Sequence, residues 1–160
     1  MLNDTRLLAD HLAQVHDLVD SPAFDRNSPD NGPWKTEFAQ LISRVHSLLL
    51  LADLIDKRVD FRQGVGVNGK VQDITSLVNW MHDRMPAVSS EPAEQLPGNR
   101  LNRYFNAGTG RFANGCLFTV EFDSELAFFI DDQRIYLNRQ IRRAVSEAEE
   151  AIQSHARHNL

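Results

Sequence analysis

Hydrophobic positions recur along most of this chain at helical spacing, and the longest such stretch is PWKTEFAQLISRVHSLLLLADLIDK, Pro33 to Lys57. Trp34, Phe38, Leu41, Ile42, Val45, Leu48, Leu49, Ala52 and Ile55 follow the three-and-four rhythm that places side chains on one helix face. Leu50, Leu51 and Leu54 make the second half apolar nearly all round, which predicts a central helix covered on every side. Pro33 suits the first turn, where its missing N–H costs nothing, and Asp30-Asn31-Gly32 closes the entry.

The same period predicts a first helix over Thr5 to Val19, capped by Asn3 or Asp4 and lying antiparallel to the central one. Its inner face is Leu7, Leu8, His11, Leu12, Val15, Leu18 and Val19. Asp20 to Gly32, rich in Ser, Pro, Asp and Asn, reads as a loop tethered by Phe24. A third helix runs from Asp73, its cap, to Met85, with Ile74, Leu77, Val78 and Met81 facing inward and Pro86 stopping it. Ala87 to Gly98 is Pro- and Ser-rich, an exposed connection. Asn99 to Ala107 reads as a short helix presenting Leu101, Tyr104 and Phe105, and Gly108 to Gly115 as a glycine-containing loop.

The period then changes to two. Cys116, Phe118, Val120 and Phe122, then Leu126, Phe128 and Ile130, then Ile135 and Leu137 alternate with their neighbours, with short turns at Asp123-Ser124 and Asp131-Asp132-Gln133. This predicts a three-stranded antiparallel meander with one oily face against the helices. A last helix from Arg139 to about Ala156, capped by Asn138, buries Ile141, Ala144, Val145, Ala148, Ile152 and His155. The fold class is α+β: an N-terminal layer of three helices, the meander and a C-terminal helix. One domain is expected over 1–160, with a helical lobe at 1–86, the connection at 87–98 and the remaining elements at 99–157.

Composition adds limits. A chain of 160 residues can bury a core without disulfides or metal. The one cysteine, Cys116, has no intrachain partner, and the N-terminus carries acids where a secretion signal would be basic and then apolar, so a reducing cytoplasm is the expected home. Leu48 to Ala52, the longest purely apolar run, is far short of the roughly 20 residues of a membrane span. The net charge of −5 weighs against a generic polyanion binder. It is uneven: all the lysines precede Asn99, so every later Lys or Arg is an arginine, the group suited to bidentate pairing with carboxylate or phosphate. Codon bias explains that equally well.

Candidate chemistry is sparse. Gly64 to Lys70 has the G-x-x-x-x-G-K spacing of a phosphate loop, but Val71 stands where a magnesium-binding hydroxyl belongs and no strand precedes it. Asn68-Gly69 is a hairpin or plain turn signal instead. His11 and His16 lack metal-sharing spacing, His82-Asp83 diverge on a helix, and Cys116 falls in phase with the meander's inner face. Neither catalytic residues, a metal site nor a cofactor is assigned. The remaining candidates, for a partner protein or a phosphate, are Arg100, Arg103, Tyr104, Arg111 and Phe112 in a stretch free of acids, and Arg139, Arg142 and Arg143. Those last three crowd the positive end of the helix dipole, so something acidic should offset them; Asp131 and Asp132 are the nearest in the predicted hairpin.

These features favour a non-enzymatic, cytoplasmic protein–protein interaction module of bacterial or phage type: an inhibitor, immunity protein, adaptor or assembly subunit. Its partner would be another protein, with homo-oligomers also compatible and a membrane not. The alternative is a nucleotide or nucleic-acid binding module using the arginine and aromatic stretch with the start of the last helix.

Overall fold

A computed structural model of the chain describes residues 2–30, 32–89, 100–112 and 115–158. Four helices, α1 (Leu2–Val19), α2 (Trp34–Leu54), α3 (Ile74–Ser89) and α4 (Arg143–His158), accompany five strands, β1 (Leu101–Phe105), β2 (Gly108–Arg111), β3 (Leu117–Val120), β4 (Leu126–Ile130) and β5 (Gln133–Tyr136). A 3-10 turn at Pro22–Phe24 follows α1, and a π-helical turn at Leu137–Arg142 leads into α4. The class is α+β as the periodicities imply.

The α2 helix is the axis of the helical layer. Phe38, Leu41, Ile42, Val45, Leu49 and Ala52 are wholly buried, and α1, α3 and α4 all pack on it. Pro33 is its N-cap residue, and the chain leaves through Asp56 in the left-handed region, at φ 64°. The α1 helix runs antiparallel to it: His11 meets Arg44, and Ser21 just beyond α1 meets Glu37 near the start of α2. Because α1 already includes Asn3 and Asp4, neither caps it, and its cap lies outside the described residues. Phe24 is buried edge-on against Phe128, 5.3 Å between ring centres, as a tether should be.

The α3 helix begins as its cap predicts. Asp73 Oδ1 accepts from the Ser76 N–H at 2.9 Å, and Ser76 Oγ accepts from the Asp73 N–H at 2.9 Å, a reciprocal cap. Burial pushes the Asp73 carboxyl up, but the Arg58 fork and Ser76 outweigh it and hold it below its ordinary value. The helix does not stop at Pro86: it continues to Ser89, and buried Met85 and Val88 supply packing that offsets the backbone bond proline cannot make. Of the predicted connection, residues 90–99 lie outside the described residues.

The β layer departs most from the periodicity. Of the helix expected over Asn99 to Ala107, residue 99 lies outside the described residues and the rest is not helical: Leu101–Phe105 is β1, paired antiparallel with β4 from Leu101↔Ile130 to Phe105↔Leu126. Nor is the following segment all loop, since Gly108–Arg111 is β2, paired with β3. The predicted meander therefore divides. Its β4–β5 hairpin is present, but β3 belongs to a separate two-stranded sheet, and the three-stranded sheet has the order β1-β4-β5. Both faces of that sheet are covered. Leu101, Phe128, Ile130 and Ile135 join the helical core, whereas Ala127, Phe129 and Tyr136 join Val120 in a second cluster with Tyr104, Phe112, Phe118 and Phe122. The three layers are helices, central sheet and β2–β3 ribbon, and β4, buried at every position, reads LAFFI for that reason. Ribbon and sheet are joined by Arg134, whose Nη1 donates to the Thr119 carbonyl at 2.6 Å.

Around Asn68 there is a turn rather than a strand pair. The Asn68 N–H donates to the Val71 carbonyl at 2.8 Å, while its Oδ1 accepts from the N–H groups of Lys70 and Val71. The α4 helix buries Ala144, Val145, Ala148 and Ile152, as its period requires, with His155 half-buried.

Candidate functional site

The acid-free stretch does not form one surface. The Arg100 guanidinium forks onto Asp131, its Nε 2.8 Å from Oδ1, across the β1–β4 pair. Arg103 turns inward, its side chain 4 % exposed, with Nη1 donating to Ser28 Oγ and Nη2 to the Ser28 carbonyl, both at 2.8 Å. Its guanidinium also lies over Trp34 and Phe105 and reaches Asp30 at 3.1 Å. It fastens the Pro22–Asp30 segment to the sheet. Tyr104 and Phe112 are packing residues of the second cluster, both against Phe118. Gly110 permits this crowding, since a Cβ there would stand 2.8 Å from the Phe118 ring. Arg111 is exposed and donates to the Gly115 carbonyl at 2.9 Å.

The arginines at the head of the last helix are also placed, and the acid that offsets them is neither Asp131 nor Asp132. Glu125, 3 % exposed, accepts at Oε1 from the Asn138 N–H at 3.1 Å and Asn138 Nδ2 at 3.0 Å, and at Oε2 from the Arg139 N–H at 3.0 Å. A buried carboxylate thus occupies the positive end of the helix, and Asn138, the predicted cap, donates to it instead. Arg142 pairs with Asp20 at 2.6 Å and donates to the Val19 carbonyl at 3.0 Å. Arg143 pairs with Glu147 at 2.6 Å, lies over the Phe61 ring at 3.9 Å and donates to Gln63. Arg139 lies over Phe122, 3.5 Å from Cζ to the ring centre, and its guanidinium makes no hydrogen bond or ion pair among the described residues.

Of the eight predicted site residues, Arg139 and Arg143 line one cavity, of about 400 Å³. Gln63, Gly64, Glu121, Phe122, Tyr136 and Gln140 complete its lining. Its shape depends on Gly64, at φ 78°, where a Cβ would stand 3.0 Å from Gln140 Nε2. Gln140 is itself buried, accepting from the Tyr136 N–H at 2.8 Å and donating to the Gln63 carbonyl at 3.1 Å. The π-helical turn directs Arg139 and Gln140 here; such insertions are frequent at functional sites. Sequence reasoning found the two arginines but missed Glu121, Phe122, Tyr136 and Gln140, whose convergence depends on that insertion and on the ribbon.

Elsewhere, His46 and His82 stack between α2 and α3, ring centres 4.0 Å apart and nearly parallel, with the Nδ1 of His82 buried and without a hydrogen bond. Burial first, then His82, lowers the pKa of His46, against Asp83 which raises it. Cys116 is half-buried rather than fully buried, and burial, with Asp131 and Asp132, raises its pKa, opposite to the shift a thiolate nucleophile needs. Among the described residues no three His, Cys, Asp or Glu side chains are grouped to hold a metal ion, and no helix is long and apolar enough to cross a membrane.

The second half of α2 is not covered on every side. Leu50, Leu51 and Leu54 are exposed, Leu54 to 74 %, as is Leu7 of α1. Comparison with protein-family models, with curated proteins and with solved structures found no match to this chain.

Proposed function

We propose that the protein is a non-enzymatic protein–protein interaction module, an inhibitor, immunity protein, adaptor or assembly subunit working in a bacterial or phage-infected cytoplasm. The observation that carries this reading is the ridge of Leu50, Leu51 and Leu54, large apolar side chains left in water on the helix around which the core is built. The occupant is a partner protein presenting an apolar helix flanked by Lys or Arg. That polarity follows from the acidic balance of the chain before Asn99. Four of the six predicted arginines are paired within the chain, on Asp131, Asp30, Asp20 and Glu147, which disfavours an extended nucleic-acid surface.

The test is affinity capture from the native host at moderate salt, with and without nuclease, comparing wild type with Leu50→Glu and Leu54→Glu, each checked by circular dichroism. One stoichiometric protein that survives nuclease and is lost from both folded variants is expected. Recovery of nucleic acid alone, or self-association abolished by Leu54→Glu, would overturn the assignment.

A further inference from the structure

The geometry points to a second, independent site: the cavity beside the π-helical turn binds a small phosphate monoester that also carries hydroxyl groups, a sugar phosphate or a nucleoside monophosphate. Its volume of about 400 Å³ falls in the range of small-molecule pockets. At one end stand Arg139 and Arg143, four residues apart and therefore neighbours on one helical face. Each guanidinium is held against a ring, Phe122 or Phe61, so its plane is ordered before any ligand arrives.

The donors are not exhausted by the fold. The Arg139 guanidinium bonds no acceptor among the described residues, although its ring contact orders it beside the cavity. Tyr136 is 1 % exposed, and its hydroxyl accepts from the Glu121 N–H at 3.2 Å while its own proton finds no acceptor among the described residues. That hydroxyl shares the cavity with the unpaired Arg139 guanidinium and with Arg143, whose Nε and Nη1 are given to Glu147 and Gln63 but whose Nη2 is not given to any acceptor among the described residues. A buried hydroxyl with an unused donor in that company is a place prepared for an oxyanion. The helix terminus itself is not the receptor, because Glu125 already occupies it. The other charge lining the cavity is Glu121, exposed and outside any ion pair among the described residues, and a carboxylate there accepts hydrogen bonds from sugar hydroxyls. Phosphate at the arginine end and hydroxyls at the glutamate end match that polarity, whereas a simple anion would meet Glu121 unfavourably.

Isothermal titration of the full chain with inorganic phosphate, ribose 5-phosphate and AMP tests this. Saturable binding of ribose 5-phosphate, at least tenfold tighter than inorganic phosphate, is expected. Arg139→Ala should weaken it tenfold or more, Tyr136→Phe several-fold, and Glu121→Gln should narrow the gap between ribose 5-phosphate and inorganic phosphate. AMP tighter than ribose 5-phosphate identifies a nucleotide as the ligand, and equal affinity identifies the sugar phosphate. Absence of saturable binding by all three, or binding unchanged in Arg139→Ala, overturns the site. Because Arg139 is exposed and forms no internal pair, that variant keeps its fold. Failure here leaves the leucine ridge untouched, since neither rests on the other.

Discussion

Single residues carry more of this structure than their positions in the sequence suggest, and Glu125 is the clearest. A glutamate in the turn before β4 reads as solvent-facing, yet its carboxylate gathers N–H donors from Asn138 and Arg139 and stands within the arginine-rich start of the last helix. Glu125→Gln keeps the shape but sets an amide donor against those N–H groups. A loss of about 1–3 kcal/mol, the cost of leaving buried donors unsatisfied, is expected in urea melts. The arginine excess at that terminus did signal a missing acid; which acid depended on where β3 and β4 part company. His46 gives a second prediction at this scale. Its folded pKa lies below the ordinary 6.5, so the folded state binds its proton less readily than the unfolded state. Stability is then full above that value and falls as acidification proceeds through the lowered pKa. Melts between pH 7 and pH 5 should show a decline that His46→Gln diminishes, and an identical slope in the variant would show that the stack does not contribute.

At the scale of elements, the helices were legible because each has a long stripe at one period, while their ends were read less well, α3 running past Pro86 and α1 including Asn3 and Asp4. The central helix also shows where the pattern misleads. Periodicity distinguishes an inner face from an outer one, but a helix apolar all round can be enclosed or can offer its surplus to something else. Leu49→Ala should cost about 2–5 kcal/mol, because that side chain is wholly buried. Leu54→Ala should change stability by under about 0.5 kcal/mol, as exposed positions do. Chemical denaturation of the two variants side by side checks this, and a large loss at Leu54 would mean that the ridge is covered. The strands were harder to read. Leu101, Tyr104 and Phe105 fit helical spacing, and the strand period of Leu101, Arg103 and Phe105 was hidden because its middle member is charged. β2 contains two glycines in four residues, poor strand formers, kept where Tyr104 and Phe118 lie against the backbone.

For the whole molecule, the class was legible and so was the β4–β5 hairpin, but the other pairings were not, since local alternation says which residues share a face and nothing about which distant strand lies alongside. Of the eight residues lining the cavity two were legible, Arg139 and Arg143, which share a helical face, whereas Tyr136 and Glu121 reach them only through tertiary arrangement. The inward turn of Arg103 has a consequence for how the chain can be divided. Its two Nη groups, on β1, donate to Ser28 and the guanidinium is roofed by Trp34, both more than sixty residues earlier. A fragment of residues 100–158 would have to bury or expose a cation whose acceptors it lacks, and a fragment of residues 2–89 would leave those carbonyls and the α2 face uncovered. Each piece alone should therefore show little near-ultraviolet circular dichroism, whereas an equimolar mixture should recover it. Arg103→Met in the 100–158 fragment should weaken that reassembly, so the buried charge acts as one ward of a two-part lock, beside the rings on Phe128 and the α2–α4 packing that also join the halves.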